Sequence, residues 1–122
     1  MNSMNKGIGI DLVEIEDIKS RLSEAFIERI LSKREYAYFI TITHPQRKLE
    51  YLAGRFAAKE AYTKAYGEFD ERLSFYQVEV LRKENGVPYI ESTYSEDDDV
   101  YVSISHTKHY AIAMVMIEKK TK

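Results

Sequence analysis

The chain of 122 residues contains no cysteine. That excludes a disulfide framework and any thiolate metal site, and it fits a cytoplasmic protein. Long apolar runs are also missing. No stretch approaches the ~18 residues of a membrane span, and the polar start, Met1 to Lys6, has no apolar signal core. A charge excess is absent too. The formal net charge is −2, so the overall basic character of many nucleic-acid binders is lacking. There is no P-loop, no dinucleotide fingerprint and no nucleophile elbow. These absences leave a non-membrane protein with 44% hydrophobic residues, enough for one core and one domain over 1–122, with 1–6 expected as a flexible tail.

Gly7 to Leu12 alternates, with Ile8, Ile10 and Leu12 on one strand face and Gly7, Gly9 and Asp11 on the other. The period then becomes helical through Ile15, Ile18, Leu22 and Phe26. Ile27, Ile30 and Leu31 suggest a second short helix. Ser32 with Glu35 forms a capping box that should start a third helix over 33–40. Pro45 opens the longest helix, which carries an apolar stripe of Leu49, Leu52, Ala53, Phe56, Ala57, Ala61 and Ala65 and ends at Gly67. Beyond Gly67 the expected strands are 73–81, 88–93, 100–105 and 110–117, with a hairpin turn at Asn85-Gly86. The run Glu96 to Asp99 reads as a solvated turn. The fold class is α+β: an antiparallel sheet packed against a helical layer that includes one long helix.

Three stretches could carry chemistry. In Gly7-Ile8-Gly9-Ile10-Asp11 the glycines clear a face for close approach, and Asp11 is a carboxylate suited to a hard cation. With Glu14 three residues on, Asp11 also reads as a helix N-cap. In the segment from Gly54 to Ala65, Glu60 stands on the alanine-rich stripe, an odd place for a carboxylate. Lys64 follows one turn later, as an intrahelical ion pair or as something more. Arg55 and Lys59 are a cationic i,i+4 pair, either solvated or directed at phosphates. Val102 to Thr107 ends a strand with hydroxyls and His106, as a polar turn or as part of a site. Two carboxylates, several cations and a histidine suit Mg²⁺-assisted phosphoryl transfer.

Taken together, Gly7-Ile8-Gly9-Ile10-Asp11, Gly54-Arg55-Phe56-Ala57-Ala58-Lys59-Glu60-Ala61 with Lys64-Ala65, and Ser103-Ile104-Ser105-His106-Thr107 with Tyr110-Ala111 are similar in order and spacing to the motifs of one family. The chain resembles the holo-acyl-carrier-protein synthases, small bacterial phosphopantetheinyl transferases, from Gly7 to about Glu118. The resemblance implies the phosphopantetheinyl transferase fold and Mg²⁺-dependent transfer of 4′-phosphopantetheine from coenzyme A to a serine of acyl carrier protein, for fatty acid biosynthesis. It implies Asp11 and Glu60 as Mg²⁺ ligands and Lys64 against the phosphates. Arg55, Lys59 and His106 would contact the phosphates of the adenosine end, and Asn85, Gly86 and Pro88 would border the adenine. A homotrimer with sites between protomers is implied as well. Two departures stand out. The turn Gly67-Glu68-Phe69-Asp70-Glu71 has one glycine where the family is glycine-rich. The first helix carries Glu16 and Asp17 where the family presents basic residues to its carrier, leaving Arg21, Arg29 and Lys33 as docking charges.

Overall fold

The computed structural model describes residues 5–67 and 73–120. The elements are β1 (Asn5–Glu14), α1 (Ile15–Ser20), α2 (Glu24–Ile30), α3 (Lys33–Phe39), α4 (Pro45–Tyr66), β2 (Val78–Arg82), β3 (Pro88–Ser92), β4 (Asp98–His106) and β5 (Tyr110–Lys119). Short 3₁₀ turns at Phe75–Gln77 and Thr93–Ser95 precede β2 and β4. This is the expected α+β class, with antiparallel strands and one long helix. The strands divide into two units: a three-stranded sheet in the order β1-β5-β4 and a separate two-stranded ribbon, β2-β3.

Local chemistry sets most boundaries. Ser32 and Glu35 form the capping box that starts α3, Pro45 occupies the first turn of α4, and Gly67 ends it in the left-handed region at φ 83°. In the ribbon, Gly86 N closes on Lys83 O at 2.8 Å and Gly86 takes φ 88°, a left-handed position that needs glycine.

Several expectations are corrected. The boundary between the first two expected helices falls earlier than Phe26, because Ser23 accepts from Phe26 N and caps the second; Phe26 thus belongs to α2. Asp11 caps nothing: β1 runs on to Glu14, which stands at the N-cap of α1 without a side-chain hydrogen bond. Residues 5 and 6 belong to β1, which corrects the expected tail over 1–6 at those two positions; residues 1–4 lie outside the described residues. Residues 73–77 are irregular and 3₁₀ rather than strand, because β2 pairs with β3 only from Val78 onward. Of the acidic run, Glu96 and Asp97 form the turn, while Asp98 and Asp99 pair with β5 in β4. Four residues of the glycine-poor turn, 68–71, lie outside the described residues.

The core lies between the sheet and α4. Gly9, Val13, Ala111, Ala113, Val115 and Ile117 face the helix. Gly7 and Gly9 allow it to seat on β1 backbone: a Cβ on Gly9 would stand 1.9 Å from Ala61 O, and one on Gly7 2.0 Å from Ala65 O. The other side of α4 is covered by the short helices and the ribbon. The helix is therefore buried nearly all round, with Arg55, Ala58, Lys59 and Tyr62 inside as well as the expected alanine stripe.

Candidate active site

α4 crosses the sheet obliquely. Its first half lies over β4, where Gly54 faces Ile104, and its second half over β1, where Ala61 and Ala65 meet Gly9 and Gly7. The expected site residues fall into two groups at these two sheet edges.

At the β1 edge, Asp11 points inward from the strand. Lys64 Nζ reaches back from α4 to donate to Asp11 Oδ1 at 3.2 Å and to Ile10 O at 3.0 Å. The Asp11 side chain is 16% exposed and the Lys64 side chain 50%, so the pair lies at the rim of the seam, open to a ligand. Glu60, half-buried, lies one turn before Lys64 on the same helix. Asp11 and Lys64 thus meet where β1 meets α4, with Glu60 one helical turn from Lys64. Among the described residues no group of three or more His, Asp or Glu side chains is placed to hold a metal ion. The donor set is a pair of hard oxygens, which fits Mg²⁺ completed by water and phosphate oxygens.

At the β4 edge, the ribbon and α4 enclose a cleft of about 290 Å³. Arg55, Gly86, Pro88 and His106 all line it, as do Arg47, Glu50, Tyr51 and Arg82. Three arginines against one glutamate make it cationic. Arg55 is 4% exposed, its guanidinium carbon lies 4.2 Å from the Tyr51 ring centroid, and its buried Nε has no hydrogen-bond partner among the described residues. Burial pulls the Arg55 guanidinium below its ordinary range, with Tyr51 pulling back. Burial pushes the Tyr51 phenol up to about 12, against the opposing pull of Arg55. A buried cation with an unused donor gains most from an anion. His106 Nε2 stands 3.5 Å from Glu50 Oε1, and Glu50 Oε2 accepts from Gln46 at 3.2 Å.

Two expected contacts do not join this cleft. Asn85 spends its side-chain oxygen on Val87 N at 3.1 Å, inside the turn. Lys59 is corrected outright: its side chain is 0% exposed. Its ammonium donates to Glu35 Oε1, Ile30 O and Phe75 O. Glu35 Oε2 in turn accepts from Val80 N at 2.7 Å. With three donors and three acceptors, Lys59 has none left for a phosphate. Burial lowers the pKa of Lys59, and the charge of Glu35 raises it again. Arg47, Tyr51 and Arg82 were not singled out from sequence. Arg47, Tyr51 and Arg55 stand at i, i+4 and i+8 on α4, and that spacing was the available signal.

Carboxylates and an ammonium at one sheet edge, and a cleft lined by Arg47, Arg55 and Arg82 at the other, suit an enzyme that handles phosphate groups. The family model described as the 4′-phosphopantetheinyl transferase superfamily matches residues 7–115, and the chain belongs to that family. It is 49% identical over 119 residues to the holo-[acyl-carrier-protein] synthase of Bacillus pumilus, covering 95% of this chain and 98% of that one. It is 47% identical over 116 residues to the enzyme of the same name from a Geobacillus species, covering 93% and 96%. Among solved structures, the Bacillus anthracis holo-(acyl-carrier-protein) synthase in complex with CoA (3′,5′-ADP) superposes with a TM-score of 0.88 at 39% identity, covering 97% of this chain and all of that one. The chain is accordingly a phosphopantetheinyl transferase by family and by fold.

Proposed function

We propose that this chain transfers 4′-phosphopantetheine from coenzyme A to a serine of apo-acyl carrier protein, releasing 3′,5′-ADP, in the cytoplasm and for fatty acid biosynthesis, as a single domain over 1–122. The observation that carries the reading is the β1–α4 seam, where Lys64 reaches Asp11 beside Glu60. The holo-[acyl-carrier-protein] synthase relatives and the CoA (3′,5′-ADP) complex of one neighbour support the substrate pair.

Asp11 and Glu60 would hold a Mg²⁺ ion, which supplies charge neutralisation at the pyrophosphate when bound. Lys64 adds a positive charge at the same place, held to the backbone by Ile10 O. The serine oxygen forms a bond to the phosphorus bearing the pantetheine arm as the bond to the 3′,5′-ADP oxygen breaks. The serine proton is taken up at the carboxylates of the seam. Arg55 and His106, joined by Arg47 and Arg82, hold the phosphates of the adenosine end, with Gly86 and Pro88 against the base.

The two residue groups stand at opposite sheet edges, and from Arg55 to Lys64 the helix rises roughly 13 Å. A closed ring of protomers brings the β4 edge of one against the β1 edge of the next. The outer sheet face between those edges is apolar, with Ile8, Ile10, Leu12, Met114 and Tyr101 each about half or more exposed. A face of that kind supports burial in a homotrimer. The basic corner of Arg21, Arg29 and Lys33 suits an acidic carrier. There the Arg21 guanidinium lies 4.7 Å from the Phe26 ring centroid, and that of Arg29 6.0 Å.

The test is incubation with apo-acyl carrier protein, coenzyme A and Mg²⁺, read by mass spectrometry. A gain of one phosphopantetheine group on the carrier, abolished by chelator, is expected. An unchanged carrier mass would refute the reading. In sedimentation, Ile10→Asp should shift the wild-type trimer to smaller species.

A further inference from the structure

The β2-β3 ribbon forms one wall of the cationic cleft, yet it shares no ladder with the three-stranded sheet. A two-stranded ribbon is marginal alone, so side chains must hold this wall in place. Three residues of α3 do so. Glu35 takes Val80 N from the buried side. Tyr38 lies under Arg82, with 5.4 Å from guanidinium carbon to ring centroid. On the outer side Arg34 forks across both strands: Nε and Nη2 donate to Glu79 at 3.2 and 2.6 Å, and Nη2 donates to Glu91 at 3.0 Å.

Glu79 and Glu91 are directly paired across the ribbon. Without a cation between them, two carboxylates in register repel and open the ribbon. Arg34 converts that repulsion into a brace. Arg82 and Pro88, which line the cleft, are the paired residues three positions further along the same ribbon, roughly 10 Å away. A change in ribbon pose at Glu79 and Glu91 is therefore carried to the cleft wall.

We propose that Arg34 is a positioning residue for the adenosine end of coenzyme A: by bridging Glu79 and Glu91 it holds the β2-β3 ribbon against α3 and so sets the width of the cleft between the ribbon and α4. The assignment rests on the function proposed above. The Arg34 guanidinium is committed to two carboxylates, so Arg34 does not add to the docking charges of Arg21, Arg29 and Lys33.

The experiment compares wild type, Arg34→Gln, Arg34→Lys and the double variant Arg34→Gln with Glu91→Gln in steady-state transfer. Coenzyme A and the carrier are varied separately, and product inhibition by 3′,5′-ADP is measured. Arg34→Gln should raise KM for coenzyme A roughly three- to fivefold, with kcat and the carrier KM within about twofold. Inhibition by 3′,5′-ADP should weaken in parallel. The double variant should recover at least half of the loss, because the like-charge pair is gone. Lysine should rescue partially, since it reaches one carboxylate but cannot fork. An unchanged coenzyme A KM in Arg34→Gln, or a fall in kcat and melting temperature with KM unmoved, overturns the proposal alone. Absence of transfer by the wild-type chain overturns the functional reading and the proposal together.

Discussion

Replacing Lys59 by methionine tests whether this lysine belongs to the scaffold or to the substrate site. Methionine fills a similar volume and supplies no charge. The change would leave the Glu35 carboxylate at 0% exposure with two backbone donors, Ser32 N and Val80 N, and no counter-charge. It would also strip Ile30 O and Phe75 O of a partner. Breaking a buried pair in this way costs about 3–5 kcal/mol, which for a domain of this size lowers the melting temperature by roughly 10–20 °C. Adding Glu35→Gln removes the stranded charge and keeps an acceptor for one of the two N–H groups, so the double variant should regain at least ~1 kcal/mol. The assay is urea unfolding at fixed protomer concentration, since assembly contributes to apparent stability. The loss should be nearly independent of salt, because a pair without solvent contact is little screened. If Lys59→Met unfolds within ~1 kcal/mol of wild type while KM for coenzyme A rises steeply, Lys59 touches substrate and the burial argument is wrong.

Three other outcomes follow. Asp11→Asn should abolish Mg²⁺-dependent transfer while the melting temperature stays within about 3 °C of wild type, because Asp11 lies within β1 and caps no helix. Gly9→Ala should cost about 3 kcal/mol or more in unfolding and impair turnover with it. Its Cβ would overlap Ala61 O and lift α4 from β1, parting Lys64 from Asp11. The hydrogen bond from Arg34 holds the Glu79 carboxyl below its ordinary value of 4.5. A depressed folded pKa contributes stability that is present above the unfolded value and lost as pH falls through the folded one. The melting-temperature gap between wild type and Arg34→Gln should therefore be full at pH 7 and close progressively below pH 4.5.

Much of the fold was legible because its boundaries are local. Ser32 with Glu35, Pro45 and Gly67 act through bonds within a few residues of themselves, and the alternation of β1 and β5 reports a sheet with one covered face. Burial around α4 was not legible. A stripe assumes one covered side, whereas this helix lies between a sheet and a second layer, so Arg55 and Lys59, solvated by residue type, are inside. The break at Ser23 was masked because the apolar spacing of Ile15, Ile18, Leu22 and Phe26 continues across it. Asp11 and Lys64 are 53 residues apart in sequence, and only the seating of α4 on β1 joins them. The brace between Arg34 and the ribbon spans 45 residues to Glu79 and 57 to Glu91, and nothing in the neighbourhood of Arg34 announces two glutamates from another layer.

The contact of Gly7 and Gly9 with α4 has a consequence for how the molecule tolerates change. Where other elements are separated by side chains, these two meet main chain to main chain. The spacing between the strand that bears Asp11 and the helix that bears Glu60 and Lys64 is thus defined by peptide atoms. It does not depend on the volume of any residue that drifts over generations. Exchanges such as Ile for Val elsewhere in the interior can be absorbed by small shifts of sheet or helices, while the distance on which the chemistry depends is fixed by two positions where even a methyl group cannot enter.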